Sequence, residues 1–246
     1  MSGRFYQTDA FYINSIGVAL QLRKRGSIWE KLEETIARKE LQGIIAITPD
    51  AIAVPWLEHL NVPVSYFTSL NRDTDVSTDS RQFMRLSIEH LYQHGCKNMA
   101  LLLGYRTVHI KEAFLEVCND LGLKVPRSHL IYPSDFLDLN LLKHWGYEQF
   151  TKLIKSANRP DGFVIYDDVI ARGAIMGALA TQVDIPNEVK LVIQSCAEIP
   201  FLCPLPASFV ECSCAEVAAA IFQQLQRLFR GEPTKKIFLP YRHALR

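Results

Sequence analysis

No apolar run in this chain approaches the roughly 18–20 residues that a membrane-spanning helix needs. The longest, Val217–Phe222, falls far short of that. The opening stretch MSGRFYQTDAFY carries polar, charged and aromatic residues where a signal peptide requires an unbroken apolar segment. Neither secretion nor a membrane partner is therefore expected. An excess of charge is missing too: 27 Lys and Arg stand against 26 Asp and Glu, leaving net +1. The chain as a whole has no basic footprint for a nucleic-acid backbone. Six cysteines (96, 118, 196, 203, 212 and 214) are scattered without a C-x-x-C, so free thiols in a reducing cytoplasm are expected rather than a disulfide framework.

Cofactor and catalytic signatures are equally scarce. The chain contains no G-x-G-x-x-G, no Walker A run, no G-x-S-x-G elbow and no H-E-x-x-H. No cofactor is expected, and the chain is not read as an enzyme. His90 and His94 share the i, i+4 spacing of a metal pair, but no third ligand follows at a recognisable spacing, and His90 falls on an apolar helix stripe.

What remains is a regular alternation. Short apolar runs at Ile44–Ile47, Val62–Phe67, Met99–Leu103, Leu130–Tyr132, Gly162–Ile165, Leu191–Gln194, Phe209–Val210 and Ile237–Leu239 predict strands covered on both faces. Amphipathic stretches of helical length lie between them, which predicts βαβ units and an α/β fold with parallel sheets. Asp79 with Gln82 and Ser213 with Glu216 mark helix starts, and Gly95, Gly122 and Gly231 mark helix ends. Asp167 and Asp168 follow the Gly162–Ile165 strand at its carboxyl end, where open α/β sheets meet their ligands. Such a pair could hold magnesium or act in acid–base chemistry. The preferred reading divides them, with Asp167 facing a ligand and Asp168 capping the helix that runs to Ala180.

The segments NVPVSYF (61–67), VSTDSRQFMRLSIEHLYQHGCKNMALLLG (76–104), RPDGFVIYDDVIARGAIMGALATQVDIPNEVKLVI (159–193) and GEPTKKIFLPYRHALR (231–246) resemble, in order and spacing, the effector-binding core of the lactose-repressor/galactose-repressor family of bacterial transcription regulators. FYINSIGVALQLRKRG (11–26) is similar to that family's first helix. The resemblance implies two similar lobes, each a parallel sheet flanked by helices, closing over a small ligand. Lobe one would comprise 1–103 plus 209–234, and lobe two 104–208 plus 235–246. It also implies a DNA-binding helix-turn-helix before the core, which this chain does not show, and a first strand with no counterpart before Arg4. Lobe one is thus expected to be incomplete.

The pocket departs from the family pattern as well. Where the family places an arginine, this chain has Ile110 between His109 and Lys111; its usual Asn-Asp pair reads Asp167-Asp168, and its ligand-facing aspartate reads Ser195. Thr48, Thr68, Arg106, His109, Asp167 and Ser195 are the candidate polar ligand contacts. Tyr66, Tyr105 and Trp145 are the candidate aromatic faces. The resemblance implies a homodimeric, cytoplasmic sensor of a sugar or sugar-like effector, in which DNA is contacted only through a separate domain. Two other readings stand beside it: the solute-binding protein of a transporter, and a small metal-dependent enzyme using Asp167 and Asp168.

Overall fold

The computed structural model describes residues 28–47, 53–68, 76–104, 108–134, 139–199 and 201–244. In chain order the first elements are α1 (Ile28–Ala37), β1 (Ile44–Ile47), α2 (Ala53–His59), β2 (Val64–Phe67) and β3 (Val76–Thr78). Next come α3 (Ser80–Gln93), β4 (Met99–Leu103), α4 (Val108–Asp120), a single 3-10 turn (Arg127–His129) and β5 (Leu130–Ile131). The chain continues through α5 (Leu139–Ile154), β6 (Gly162–Tyr166), α6 (Asp168–Thr181), β7 (Lys190–Cys196) and β8 (Ser208–Cys212). It ends with α7 (Cys214–Phe229), β9 (Ile237–Leu239) and β10 (Arg242–His243). The α/β class expected from the alternation is the class observed.

Two compact units divide the chain. One comprises Met1–Ser77 with Val217–Ile237, the other Thr78–Glu216 with Phe238–Arg246. The boundaries differ from those expected, which placed 78–103 and 209–216 in lobe one and 235–237 in lobe two. Strand pairing supplies the reason: β4 pairs in parallel with β6 from Met99↔Gly162 to Leu103↔Tyr166, so its backbone is committed to the second sheet. The helix α3 follows, burying Phe83, Met84, Ile88 and Leu91 in the same core.

In the first unit, β1 and β2 pair in parallel from Ile44↔Val64 to Ile47↔Phe67, within a four-stranded sheet ordered β1-β2-β3-β9. Ala46, Val54, Leu57 and Tyr66 form its core. The Ser65 hydroxyl donates to the Ile221 carbonyl at 2.9 Å and ties β2 to α7. Between residues 28 and 43 the described chain forms α1 and no strand. The segment 11–26, matched to a first helix by resemblance, lies outside the described residues.

The second unit is a six-stranded sheet ordered β10-β8-β7-β6-β4-β5, parallel except for the antiparallel β10. Its central strands β4 and β6 are almost wholly apolar because both faces are covered. Met99, Leu101, Leu103, Val164, Val192 and Val210 face α3 and α4, whereas Ala100, Leu102, Phe163, Ile165, Leu191, Ile193 and Phe209 face α5 and α6. The expected helix ends are present. Asp79 Oδ1 accepts from the Gln82 amide at 2.9 Å, and Gly95 and Gly122 adopt φ of +88° and +70°. Ser213 Oγ accepts from the Glu216 amide at 3.1 Å, but the Glu216 carboxylate turns to Arg242 and Glu198 caps the Cys214 amide at 2.7 Å.

The helices α5 and α6 meet backbone to backbone. A Cβ on Gly173 would lie 1.9 Å from the Lys143 carbonyl oxygen, and one on Gly146 would lie 2.6 Å from that of Ile170. No rotamer relieves such overlap, because the obstacle is main chain. Gly173→Ala is therefore expected to lower stability by about 1–3 kcal/mol, the usual cost of overpacking, or more if the helices cannot part. Urea denaturation followed by circular dichroism would measure it, and unchanged stability would mean that the two helices are not in this contact.

Candidate functional site

Parallel strands bring their carboxyl ends to one edge of the second sheet. β7 and β8 are in register at Ser195↔Glu211, β6 and β7 at Ile165↔Ile193, and β4 and β6 at Leu103↔Tyr166. Continued one or two residues past the strands, that register sets Gly104, Asp167, Ser195 and Glu211 in one row. All four share the parity of the residues facing α5 and α6, so the row lies on that side.

Asp167 is the centre of the row. It is the N-cap of α6, its Oδ1 accepting from the Val169 amide at 2.7 Å. Its backbone sits at φ 149°, ψ 124°, a region L-residues seldom occupy and one often found where function holds strain. Burial pushes its carboxyl pKa above the usual range, the Val169 amide partly offsetting this. Gly104 makes room for it: a Cβ there would stand 2.7 Å from Asp167 Oδ2.

The preferred division of the two aspartates is corrected here. Asp168 is not the cap but the first residue of α6, and its exposed carboxylate reaches Arg172 Nη2 at 3.4 Å. Two adjacent acids at a helix start cannot be told apart by apolar periodicity; the direction of one side chain decides. Ser195 is corrected as well. β7 runs past the expected end at Gln194 to Cys196, so Ser195 lies inside a strand, 2% exposed, with Oγ donating to Glu211 Oε1 at 3.0 Å. Glu211 escaped the sequence reading because the strand was ended at Val210. Its place opposite Ser195 on the neighbouring strand is the signal that finds it.

The remaining candidates separate. His109 is half-buried in the first turn of α4, and burial lowers its pKa against the pull of Glu112. Its neighbour Ile110, at the family's arginine position, is fully buried in the core. Trp145, on α5, is half-buried and packs against the core. In the first unit, Tyr66 is buried in the core, and Thr68 is buried just after β2, its amide donating to Val76 O at 3.0 Å. Thr48, Tyr105 and Arg106 lie outside the described residues.

One residue before Asp167, Tyr166 joins a buried hydroxyl chain. Its OH lies 3.3 Å from that of Tyr241, which donates to Thr78 Oγ1 at 3.2 Å. Phe83 meets both tyrosine rings edge-on at 5.1 Å. His90, expected on the buried stripe, is only half-buried: its Nε2 lies 2.8 Å from Ser208 Oγ, and its ring lies tilted beside those of His94 and His243. Among the described residues, no three His, Cys, Asp or Glu side chains are placed to hold a metal ion. No described helix is long and apolar enough to cross a membrane.

Residues 88–246 match a family described as the periplasmic binding protein-like domain. Over 111 residues the chain is 25% identical to the HTH-type transcriptional repressor PurR of Actinobacillus pleuropneumoniae serotype 3 (strain JL03), covering 44% of this chain and 31% of the repressor. The match thus spans under a third of that relative. A regulatory protein of the LacI family from Chloroflexus aggregans superposes with a TM-score of 0.75 at 19% identity, over 89% of this chain and 80% of that one. A periplasmic binding protein/LacI transcriptional regulator from Alkaliphilus metalliredigens QYMF, complexed with D-xylulofuranose, gives 0.69 at 18%, over 87% and 80%. At these identities the superpositions establish a shared fold.

The two aspartates have separable consequences. Asp167→Ala removes a helix cap and is expected to cost about 1 kcal/mol. Asp168→Ala removes an exposed ion pair and should change stability by no more than about 0.5 kcal/mol. Because the folded Asp167 carboxyl binds its proton above the ordinary value of 3.8, the native chain gains stability as pH falls through the window between the two values. Asp167→Asn should abolish that gain while keeping the cap. Urea titrations across this window would check all three, and equal pH profiles for the parent and Asp167→Asn would contradict the assignment.

Proposed function

Since the chain belongs to the periplasmic binding protein-like domain family, we propose that it is the effector-binding core of a transcription regulator and takes a small sugar or sugar-like metabolite. One observation carries the reading: the row of Gly104, Asp167, Ser195 and Glu211 at the carboxyl ends of four adjacent parallel strands. Ligands of open α/β sheets bind at that edge. A carboxylate fixed by a helix N-terminus, with a glycine beside it that keeps the space clear, can accept hydrogen bonds from sugar hydroxyls. Ser195 and Glu211 add a hydroxyl and a second carboxylate already oriented on each other. The sugar-complexed regulator of the same fold supports the ligand class. Thr48, Tyr66, Thr68, Arg106, His109 and Trp145 stay in the proposal as residues around the ligand, ranked after Asp167. With net charge +1, sequence-specific DNA contact is not assigned to this chain.

The division of labour between the aspartates weighs against the enzyme reading, which needs two carboxylates on one ion or one reacting group. Asp167 is turned to the Val169 amide, while Asp168 is exposed and held by Arg172. Effector binding between flexible states, rather than turnover, is the behaviour proposed, with the ligand favouring the state in which it makes more contacts.

The proposal includes a homodimer formed through the second unit. Met176 and Leu179 are 60% and 46% exposed on α6, and Ile199 and Leu202 are 51% and 88% exposed after β7. Ile170, Ala171, Ala174, Ile175 and Ala178 of α6 are buried in the unit's own core, so the dimerising surface is narrower than the whole helix. Apolar surface of this kind favours a partner over water.

Two measurements test the proposal. Thermal-shift screening of sugars and sugar acids, followed by calorimetry, should find a ligand that Asp167→Asn binds about tenfold or more weakly, the loss expected when charge-assisted hydrogen bonds become neutral ones. A ligand bound equally by the parent and Asp167→Asn would remove Asp167 from the site. In sedimentation at micromolar concentration, the parent should be dimeric and Leu202→Asp with Met176→Glu monomeric. A monomeric parent would refute the dimer.

A further inference from the structure

We propose that Cys196 and Cys212 form a peroxide-responsive dithiol, joined by hydrogen peroxide into a reversible disulfide at the carboxyl ends of β7 and β8. The register makes the pair. Cys196 and Cys212 are direct partners in the parallel β7–β8 ladder, the last residues of their strands. In-register neighbours on adjacent strands point to the same face, and adjacent strands lie about 4.8 Å apart, within the Cα separations that disulfides span. The two Sγ atoms are already 3.8 Å apart. A turn about the side-chain torsions therefore closes the bond without moving main chain.

Chemistry distinguishes this pair from the other thiols. Cys212 is pushed down by the hydrogen bond from Cys196, which makes it the more readily ionised sulfur, and Cys196 is pushed up by the same bond. Cys214, the first residue of α7, is raised to about 12 by burial and by Cys196. Cys118 is raised to about 12 and Cys96 to about 11 by burial, and Cys96 also donates to the Asp161 carbonyl at 3.3 Å. Cys203 donates to Leu205 O at 3.3 Å, away from the pair. Cys196 is partly buried and Cys212 is 6% exposed, so peroxide reaches the pair past Cys196 at the strand ends.

The reaction balances with peroxide as the oxidant. The Cys212 thiolate attacks one peroxide oxygen, the O–O bond breaks, and hydroxide leaves as water with the proton released from the thiol. The resulting sulfenic acid is attacked by the Cys196 sulfur. The S–O bond breaks, the Cys196 proton goes to the departing hydroxide, and a second water leaves. Two thiols lose two electrons and the peroxide takes both. The step needs no effector, so its outcome is independent of the ligand reading above.

The test treats the full chain with a small molar excess of hydrogen peroxide, blocks the remaining thiols, and digests after glutamate. Cleavage at Glu188, Glu198, Glu211 and Glu216 separates the peptide 189–198, holding Cys196, from the peptide 212–216, holding Cys212 and Cys214. The expected product is these two peptides joined, about 2 Da lighter than their sum and released by dithiothreitol. Fragment ions should place the bond at Cys212. The cross-link should persist in Cys214→Ser and vanish in Cys196→Ser and Cys212→Ser. A cross-link that survives Cys212→Ser, fragment ions placing the bond at Cys214, oxygen additions without a cross-link, or no reaction would each overturn the proposal. The fragment ions come from the parent protein, so the assignment does not depend on any variant folding.

Discussion

The hydrogen-bonded register of β4, β6, β7 and β8 is the constraint on which the rest of the second unit depends. Four parallel strands locked in step must all end at one edge. Because helices cover both faces, the middle of these strands is mostly apolar, and Asp167, Ser195 and Glu211 gather at that edge. The row from Gly104 to Glu211 and the thiol pair one residue beyond it are two successive rungs of the same ladder, facing opposite sides of the sheet. A one-residue slip of β7 would exchange them, bringing Cys196 toward the α6 side and burying the Ser195 hydroxyl among valines.

Much of this was legible because burial on both faces writes itself as uninterrupted apolar runs. Three strands matched the expected bounds and the other expected strands differed only at their ends, while the helix starts at Asp79 and Ser213 followed from cap chemistry. What escaped has physical reasons. β3 and β10 are three and two residues long, too short to show a period. The boundary between units depends on which strands pair, and β4 joins β6 some sixty residues later, which no local pattern records. The site was half legible. The carboxyl ends of the strands pointed to Asp167, but the cap and the exposed acid were exchanged, and the polar Ser195 and Glu211 read as strand terminators although they lie inside β7 and β8.

The departures from the family pattern also acquire a physical meaning. Ile110 stands at the arginine position because α4 turns that residue into the core, where a guanidinium would be buried without a counter-ion. In the proposed site, polar recognition would then come from the sheet edge itself. The Asp167 carboxylate just past β6 and the serine–glutamate pair across β7 and β8 present acceptors there rather than a cation. Under the proposed function, such an edge would favour hydroxyl-rich, uncharged or cationic ligands over anions.

The contact between α5 and α6 has a mechanical consequence. With main chain resting on main chain at Gly146 and Gly173, neither helix can tilt or slide without carrying the other, so the pair behaves as one stiff beam. Asp167 is bolted to the end of that beam through the Val169 amide. Its carboxylate therefore has the compliance of two helices rather than of a loop, and any force on it loads the whole face of the sheet.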